Sequence, residues 1–303
     1  MSNRLQTVIS GLRLDNPLIL ASGILDENGY TMKRILKEGA AAVVTKSIGS
    51  AERSGYKPPV VVEIGGGNMI NAIGLANPGI ENFGNEVKIA REAGKPVIGS
   101  IFGADAEEFS NLAKKMASYG VSGIELNLSC PHVKGVGQEI GSDPDLVESI
   151  VGEVKRSVNI PVFAKLSPNV SDIMELAKAA DRADALVLIN TVRAMAIDVY
   201  ARRPVLSNVY GGLSGPAIKP VGLRYVYEVK KETGKEIIGV GGIQSAEDTL
   251  EYIMAGASCV EIGTALHTGG RSVFRAISRD LENLMASEKL DSISDTIGMA
   301  IQR

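Results

Sequence analysis

The chain has 303 residues, 45% hydrophobic and 22% charged, enough to bury a large core in one big domain or two small ones. A net charge of −3 without any basic block, and an aromatic content of 4%, argue against a nucleic-acid surface. No apolar run reaches the ~18 residues of a membrane span, MSNRLQTVISGLRLDNP lacks the charged-then-apolar order of a signal peptide, and two cysteines fit a reducing cytoplasm better than a disulfide framework.

Short apolar runs bounded by Gly, Pro or Asn recur along the chain. In order they are NPLILASG (16–23), AAVVTKS (41–47), KPVIGSIFG (95–103), GIELNLSC (123–130), PVFAKLSP (161–168), ALVLINT (185–191), EIIGVGGI (236–243) and SCVEIGTAL (258–266). Several lack strict alternation, as expected of strands covered on both faces. Helical patterns lie between most of them. Asp105, with Glu108 three residues on, opens a helix whose apolar face is Phe109, Leu112, Ala113 and Met116, and Gly120 ends it. Ser142 with Asp145 opens the next in the same way. Ser245 with Asp248 opens a third, with Leu250, Ile253 and Met254 on one face and Gly256 at its end.

A faint repeat, a helix-ending Gly followed by a strand, recurs in EGAAAVVTK, YGVSGIELN and AGASCVEIG. Eight strands alternating with helices predict an α/β fold of the (β/α)8 TIM-barrel type, one domain over 1–303; an open doubly wound sheet is the alternative. Residues 54–79 exceed a helix connection and predict a small hairpin or flap beside the barrel mouth.

In such a barrel, ligands bind at the C-terminal strand ends. Polar residues crowd there: Ser22, Lys46, Ser47, Ser100, Asn127, Cys130, Lys165, Ser167, Asn190 and Thr191. Core packing does not explain that placement on most strands. GVGGI and GTAL, after the last two strands, put glycines where barrels often bind phosphate; two tight turns are the plainer explanation. Lys46 and Lys165 are costly to desolvate unless paired, which favours an anionic ligand over rim lysines. Asn71, Asn127 and Asn190 each donate and accept, as a flat heterocycle with C=O and N–H groups requires. Cys130 is either an inert small filler or a reactive thiol, and its position leaves both open. Three glycines and Pro131 in the segment 131–141 read as a loop that closes over the site, with His132 on its surface. Cys259 begins an apolar run and reads as buried. His132 and His267 are the two histidines, too few for a His/Cys zinc site.

TKS, NAIGLANPG, NLSCPH, AKLSPN, LINT, GLSGPAIKP, GVGGI and GTAL, in family order from about residue 4 to 285, resemble the class 1 dihydroorotate dehydrogenases. The SCP cysteine sets the chain apart from class 2, which uses serine as base, and the likeness is greatest to the NAD-linked class 1B catalytic subunit. The resemblance implies a single FMN-binding barrel that oxidises dihydroorotate to orotate in pyrimidine biosynthesis. FMN contacts carried over are Ser22, Lys46, Ser47, Ser100, Asn127, Lys165, Ile189, Gly215, Gly241, Gly242, Gly263 and Thr264. Substrate contacts are Lys46, Asn71, Ala72, Ile73, Gly74, Leu75, Asn127, Asn190 and Thr191. Cys130 is implied to be the base for the C5 proton, while hydride leaves C6 for flavin N5. Ser100 stands where the family usually carries Asn, and Ala194 where it commonly carries Gly.

The resemblance also implies a homodimer core joined to an electron-transfer subunit in a heterotetramer. FAD, an iron–sulfur cluster and NAD would be reached only through that partner, since the chain has no cysteine cluster and no dinucleotide-binding glycine signature. Fumarate or a quinone are the other acceptors. Alternative readings are another FMN barrel acting on a dihydropyrimidine, and a flavin-free phosphate-binding isomerase or aldolase. A yellow purified protein separates the flavin readings from the last.

Overall fold

A computed structural model describes residues 3–129 and 140–302. Eight parallel strands close into a barrel: β1 (Leu18–Leu20), β2 (Ala42–Val44), β3 (Val97–Ile101), β4 (Gly123–Asn127), β5 (Val162–Leu166), β6 (Ala185–Leu188), β7 (Glu236–Val240) and β8 (Cys259–Ile262). Neighbours in the barrel are neighbours in this order, and β8 returns to β1 with Val260 opposite Leu18 and Ile262 opposite Leu20. Closure leaves the parallel sheet no exposed edge.

The helices around it are α1 (Gly29–Lys37), α2 (Gly84–Arg91), α3 (Ala106–Ser118), α4 (Pro144–Ser157), α5 (Ile173–Ala179), α6 (Lys219–Thr233), α7 (Ala246–Met254), α8 (Ala265–Gly269) and α9 (Val273–Ser287). Their starts follow local chemistry. The Asp105 carboxylate accepts the Glu108 N–H at 2.9 Å, and Phe109, Leu112, Ala113 and Met116 of α3 are buried. Ser245 and Asp248 form a reciprocal capping box on α7, with Leu250 and Ile253 buried. The cap of α4 differs from the expected Ser142. Asp143 accepts from the Asp145 and Leu146 N–H groups at 3.0 and 3.3 Å. Pro144 decides this: proline suits the first helical position, which puts the cap one residue before it.

Two packing layers result from the period-two alternation of the strands. Leu18, Leu20, Val43, Val97, Ile124, Leu126, Val162, Leu166, Leu186, Leu188 and Ile237 face outward into the helix layer. Ile19, Val44, Ile98, Phe163, Val187, Ile238 and Cys259 face the barrel axis. Each fully buried large side chain contributes about 1.5–3 kcal/mol. The antiparallel hairpin Thr7–Ile9 with Leu12–Leu14 adds Ile9 and Leu14 to the inner cluster and so closes the N-terminal end of the barrel. Cys259 is fully buried, as expected, and burial pushes its thiol well up.

At the other end stands a four-stranded antiparallel sheet. Its order is Val192–Ala194, Gly211–Ser214, Asn68–Asn71 and Val61–Gly65. The hairpin expected within 54–79 is its Val61–Gly65 and Asn68–Asn71 half. The other half comes from the segment after β6 and was not anticipated. Ala194 pairs with Gly211 in extended backbone, so the alanine fits where glycine is common. Among the described residues no helix is long and apolar enough to cross a membrane.

Candidate active site

Continuing the inward-facing parity upward changes the chemistry of the barrel interior. Above Phe163 stands Lys165, above Cys259 stands Glu261, above Ile98 stands Ser100, and on β4 Glu125 precedes Asn127 by two. The Lys165 ammonium donates to Glu261 Oε2 at 2.8 Å and to Glu125 Oε1 at 3.5 Å. The lysine side chain is 7% exposed and the glutamates 0–1%. Burial pulls the Lys165 pKa down, but the two carboxylates outweigh it and the net shift is upward. Burial, and then Glu261, push Glu125 well above the ordinary carboxylate range.

Above this floor opens a cavity of about 460 Å³. The strand ends supply Ser22, Lys46, Ser47, Asn127, Ile189, Asn190, Thr191, Gly241, Gly242, Gly263 and Thr264 to its wall. The antiparallel sheet and the chain beside it supply Val61, Met69, Asn71, Ile73, Leu75, Ser214 and Gly215. A polar chain crosses the floor. Asn190 Nδ2 donates to Asn127 Oδ1 at 3.4 Å, Asn127 Nδ2 to Ser47 Oγ at 3.0 Å, and the Ser47 and Ser100 hydroxyls share a bond of 2.9 Å. Ser100 Oγ continues it to Glu125 Oε1 at 3.4 Å. At the rim Lys46 pairs with Glu27 at 2.6 Å.

Most residues singled out from sequence therefore share one cavity. Ser100 lies behind the wall, fully buried, and reaches the cavity through Ser47. Ala72 and Gly74 alternate with the lining residues Asn71, Ile73 and Leu75 and do not line the cavity themselves. Cys130, Pro131, His132 and the loop reading for 131–141, save its last two residues, fall outside the described residues. Sequence reasoning missed Glu125 and Glu261. Their signal was a lone carboxylate inside an apolar strand, in GIELN and CVEIG, on the same parity as a strand-end polar residue.

Glycines shape the wall next to β7. Gly242 has φ +72°, and a Cβ there would stand 2.7 Å from the Gly215 carbonyl oxygen and 2.9 Å from the Lys219 nitrogen. Both obstacles are backbone. Gly242→Ala is expected to cost about 1–2 kcal/mol from the left-handed backbone alone, and more from the clash. Urea unfolding of the purified variant checks this; a wild-type midpoint would sink it. The Gln244 Nε2 amide also lines the cavity and is buried with no partner among the described residues.

Asp26 holds the loop after β1. Its carboxylate accepts the Gly23 N–H at 2.5 Å, and its carbonyl accepts the Lys46 N–H at 3.2 Å. Burial dominates over the Gly23 bond and nearby Lys46, raising its pKa from 3.8 to about 6. A raised folded pKa favours the protonated form. This group's contribution is thus full below about pH 4 and lost as pH rises through 6, by about 3 kcal/mol in all. Asp26→Asn keeps an acceptor for Gly23 and should flatten stability between pH 4 and 7. Urea midpoints at pH 4.5 and 7 measure it; an unchanged slope would contradict the assignment.

A closed barrel with a polar cavity at the C-terminal ends of its strands defines a (β/α)8-barrel enzyme. The family model described as dihydroorotate dehydrogenase matches residues 4–285. The chain belongs to that family. It is 67% identical to the dihydroorotate dehydrogenase B (NAD(+)) catalytic subunit of Thermoplasma acidophilum over 298 residues, 98% of this chain and 99% of the relative. The proteins of the same name from Methanocaldococcus jannaschii and Pyrococcus horikoshii are 48% and 49% identical, each over 98% of both chains.

Proposed function

We propose that this chain is the catalytic subunit of an NAD-linked dihydroorotate dehydrogenase, oxidising dihydroorotate to orotate for pyrimidine synthesis with FMN as its resident cofactor. The observation that carries the reading is the single cavity in which cationic, amide and glycine-built walls meet above a buried lysine. The wall fits FMN on its own chemistry. The Gly215 and Gly242 turns leave no room for a side chain, so backbone can approach a phosphate closely, and the unpartnered Gln244 amide awaits an acceptor. Ser22, Lys46, Ser47, Asn127, Lys165, Ile189, Gly215, Gly241, Gly242, Gly263 and Thr264 would hold FMN, with Ser100 acting through Ser47.

FMN, when bound, accepts the hydride that leaves C6 of the substrate. The chain's own residues do the rest. Asn71, Asn127, Asn190 and Thr191 orient the flat ring by paired donors and acceptors, and Lys46 attracts the substrate carboxylate. Ile73 and Leu75 carry the apolar side of the substrate site and exclude water, with Ala72 and Gly74 as the backbone that sets them in place. Cys130 takes the C5 proton as thiolate.

The names of the relatives, each a catalytic subunit, support a partner for this chain. Two cysteines do not make a four-cysteine iron–sulfur cluster, so that cluster, FAD and the NAD site belong to the partner. A second copy of this chain completes a homodimer core within a heterotetramer. The exposed apolar strip of Met195, Ile197, Val199, Tyr200 (95% exposed) and Tyr210 beside the antiparallel sheet supports a protein-covered face there. The reaction is placed in the cytoplasm.

Anaerobic dihydroorotate should bleach the flavin of the purified yellow protein, and each acceptor is then tried for reoxidation with and without the partner. Colourless protein, or flavin that dihydroorotate leaves oxidised, would overturn the reading.

A further inference from the structure

Two carboxylates face one ammonium in the floor of the cavity, and the donors do not suffice. Glu125 Oε1 accepts from Ser100 at 3.4 Å and from Lys165 at 3.5 Å. Glu261 Oε2 accepts from Lys165 at 2.8 Å. The remaining oxygen of each, Glu125 Oε2 and Glu261 Oε1, is buried with no donor among the described residues. Both carboxylates reach the same Lys165 ammonium, so they lie close to each other. Buried acceptors without donors are costly, and two like charges side by side in a dry barrel more so. A proton on Glu125 removes one of the two charges and turns one unsatisfied acceptor into a donor.

We propose that Glu125 and Glu261 share one proton at neutral pH, carried on Glu125, so that the floor under the ligand has no net charge. With both carboxylates ionised the triad would carry one net negative charge; with the proton it carries none. Glu261 keeps the negative charge because it lies closer to the Lys165 ammonium. The direction in which burial and Glu261 move Glu125 agrees. Around the pair stand Lys165 from β5, Ser100 from β3 and Cys259 below Glu261 on β8, with Lys46 above at the rim.

The consequence concerns anionic ligands. An unprotonated floor would repel a phosphate-bearing or carboxylate-bearing molecule in the cavity above it. Glu125 is therefore a positioning residue, which leaves Lys165 held by one counter-ion and the floor neutral. This second part rests on the proposed FMN site; the shared proton itself does not.

Infrared difference spectra test the proton without any reaction. The purified wild type at pH 8 should show a protonated-carboxyl C=O band that shifts in D2O. The band should be lost in Glu125→Gln. It should be lost in Glu261→Gln as well, because Lys165 keeps a single remaining carboxylate ionised. No such band in the wild type, or a band that survives in both variants, overturns the shared proton. FMN binding then tests its use. Wild-type affinity should fall tenfold or more as pH rises from 7 to 10, and Glu125→Gln should hold its neutral-pH affinity over that range. Equal pH dependence in the two proteins overturns the role toward the ligand. Failure to bind FMN at any pH, with the band present, counts against the cofactor reading and leaves the proton standing.

Discussion

Lys165→Met is expected to destabilise the protein by about 3–5 kcal/mol, because it strands the buried Glu261 carboxylate without its cation. Methionine matches the stem in length and apolar character, so the loss is mainly electrostatic. Much of it should return in Lys165→Met/Glu261→Gln, where the lone Glu125 stays neutral. In a double-mutant cycle the two changes should therefore couple strongly, well outside simple additivity. The same variant removes a donor from the cavity floor, and flavin content should fall with it. Urea unfolding of the four proteins decides the matter: a single variant as stable as wild type, or a double variant no better than the single, would show that the triad is not the coupled unit described. An exposed lysine pair would give less than 1 kcal/mol here, so the expected size is itself diagnostic.

The triad also shows where sequence reading stops. Barrel strands were legible because runs such as ALVLI are apolar on both faces, and the mouth was legible because polar residues recur at the ends of those runs. Lys165 stood out for the same reason. Its partners did not. Glu125 shares the parity of Asn127, but nothing local says that it meets Lys165; only closure brings β4, β5 and β8 around one axis. The antiparallel sheet was half legible. Its hairpin is local, whereas Gly211–Ser214 pairs with Asn68–Asn71 across more than a hundred residues, through short strands with weak patterns. Ser100 is a further case. Read as a shortened replacement for an amide that touches the cofactor, it stands instead behind Ser47 and holds Glu125. The α4 cap was misplaced by one residue because Ser142 and Asp143 are both good caps, and the weight of Pro144 was overlooked.

Cys130→Ser should lower the rate of flavin reduction by dihydroorotate near neutral pH by about 10²–10⁴-fold, the range for removing a general base. A thiol with an ordinary pKa of ~8.5 offers some thiolate at pH 7. An alcohol offers almost none, so the variant should regain rate as pH rises, whereas Cys130→Ala should not. The groups proposed to hold FMN and substrate are elsewhere, on Lys46, Asn127, Lys165, Asn190 and the glycine turns. Flavin content, the oxidised spectrum and the concentration of orotate that perturbs it should therefore match wild type. That separation distinguishes a lost base from a damaged site. Anaerobic stopped-flow reduction across pH 6–10 measures both limbs: an unchanged rate at pH 7 removes Cys130 from the role of base, and a serine variant with no alkaline recovery shows that the thiol does more than accept a proton.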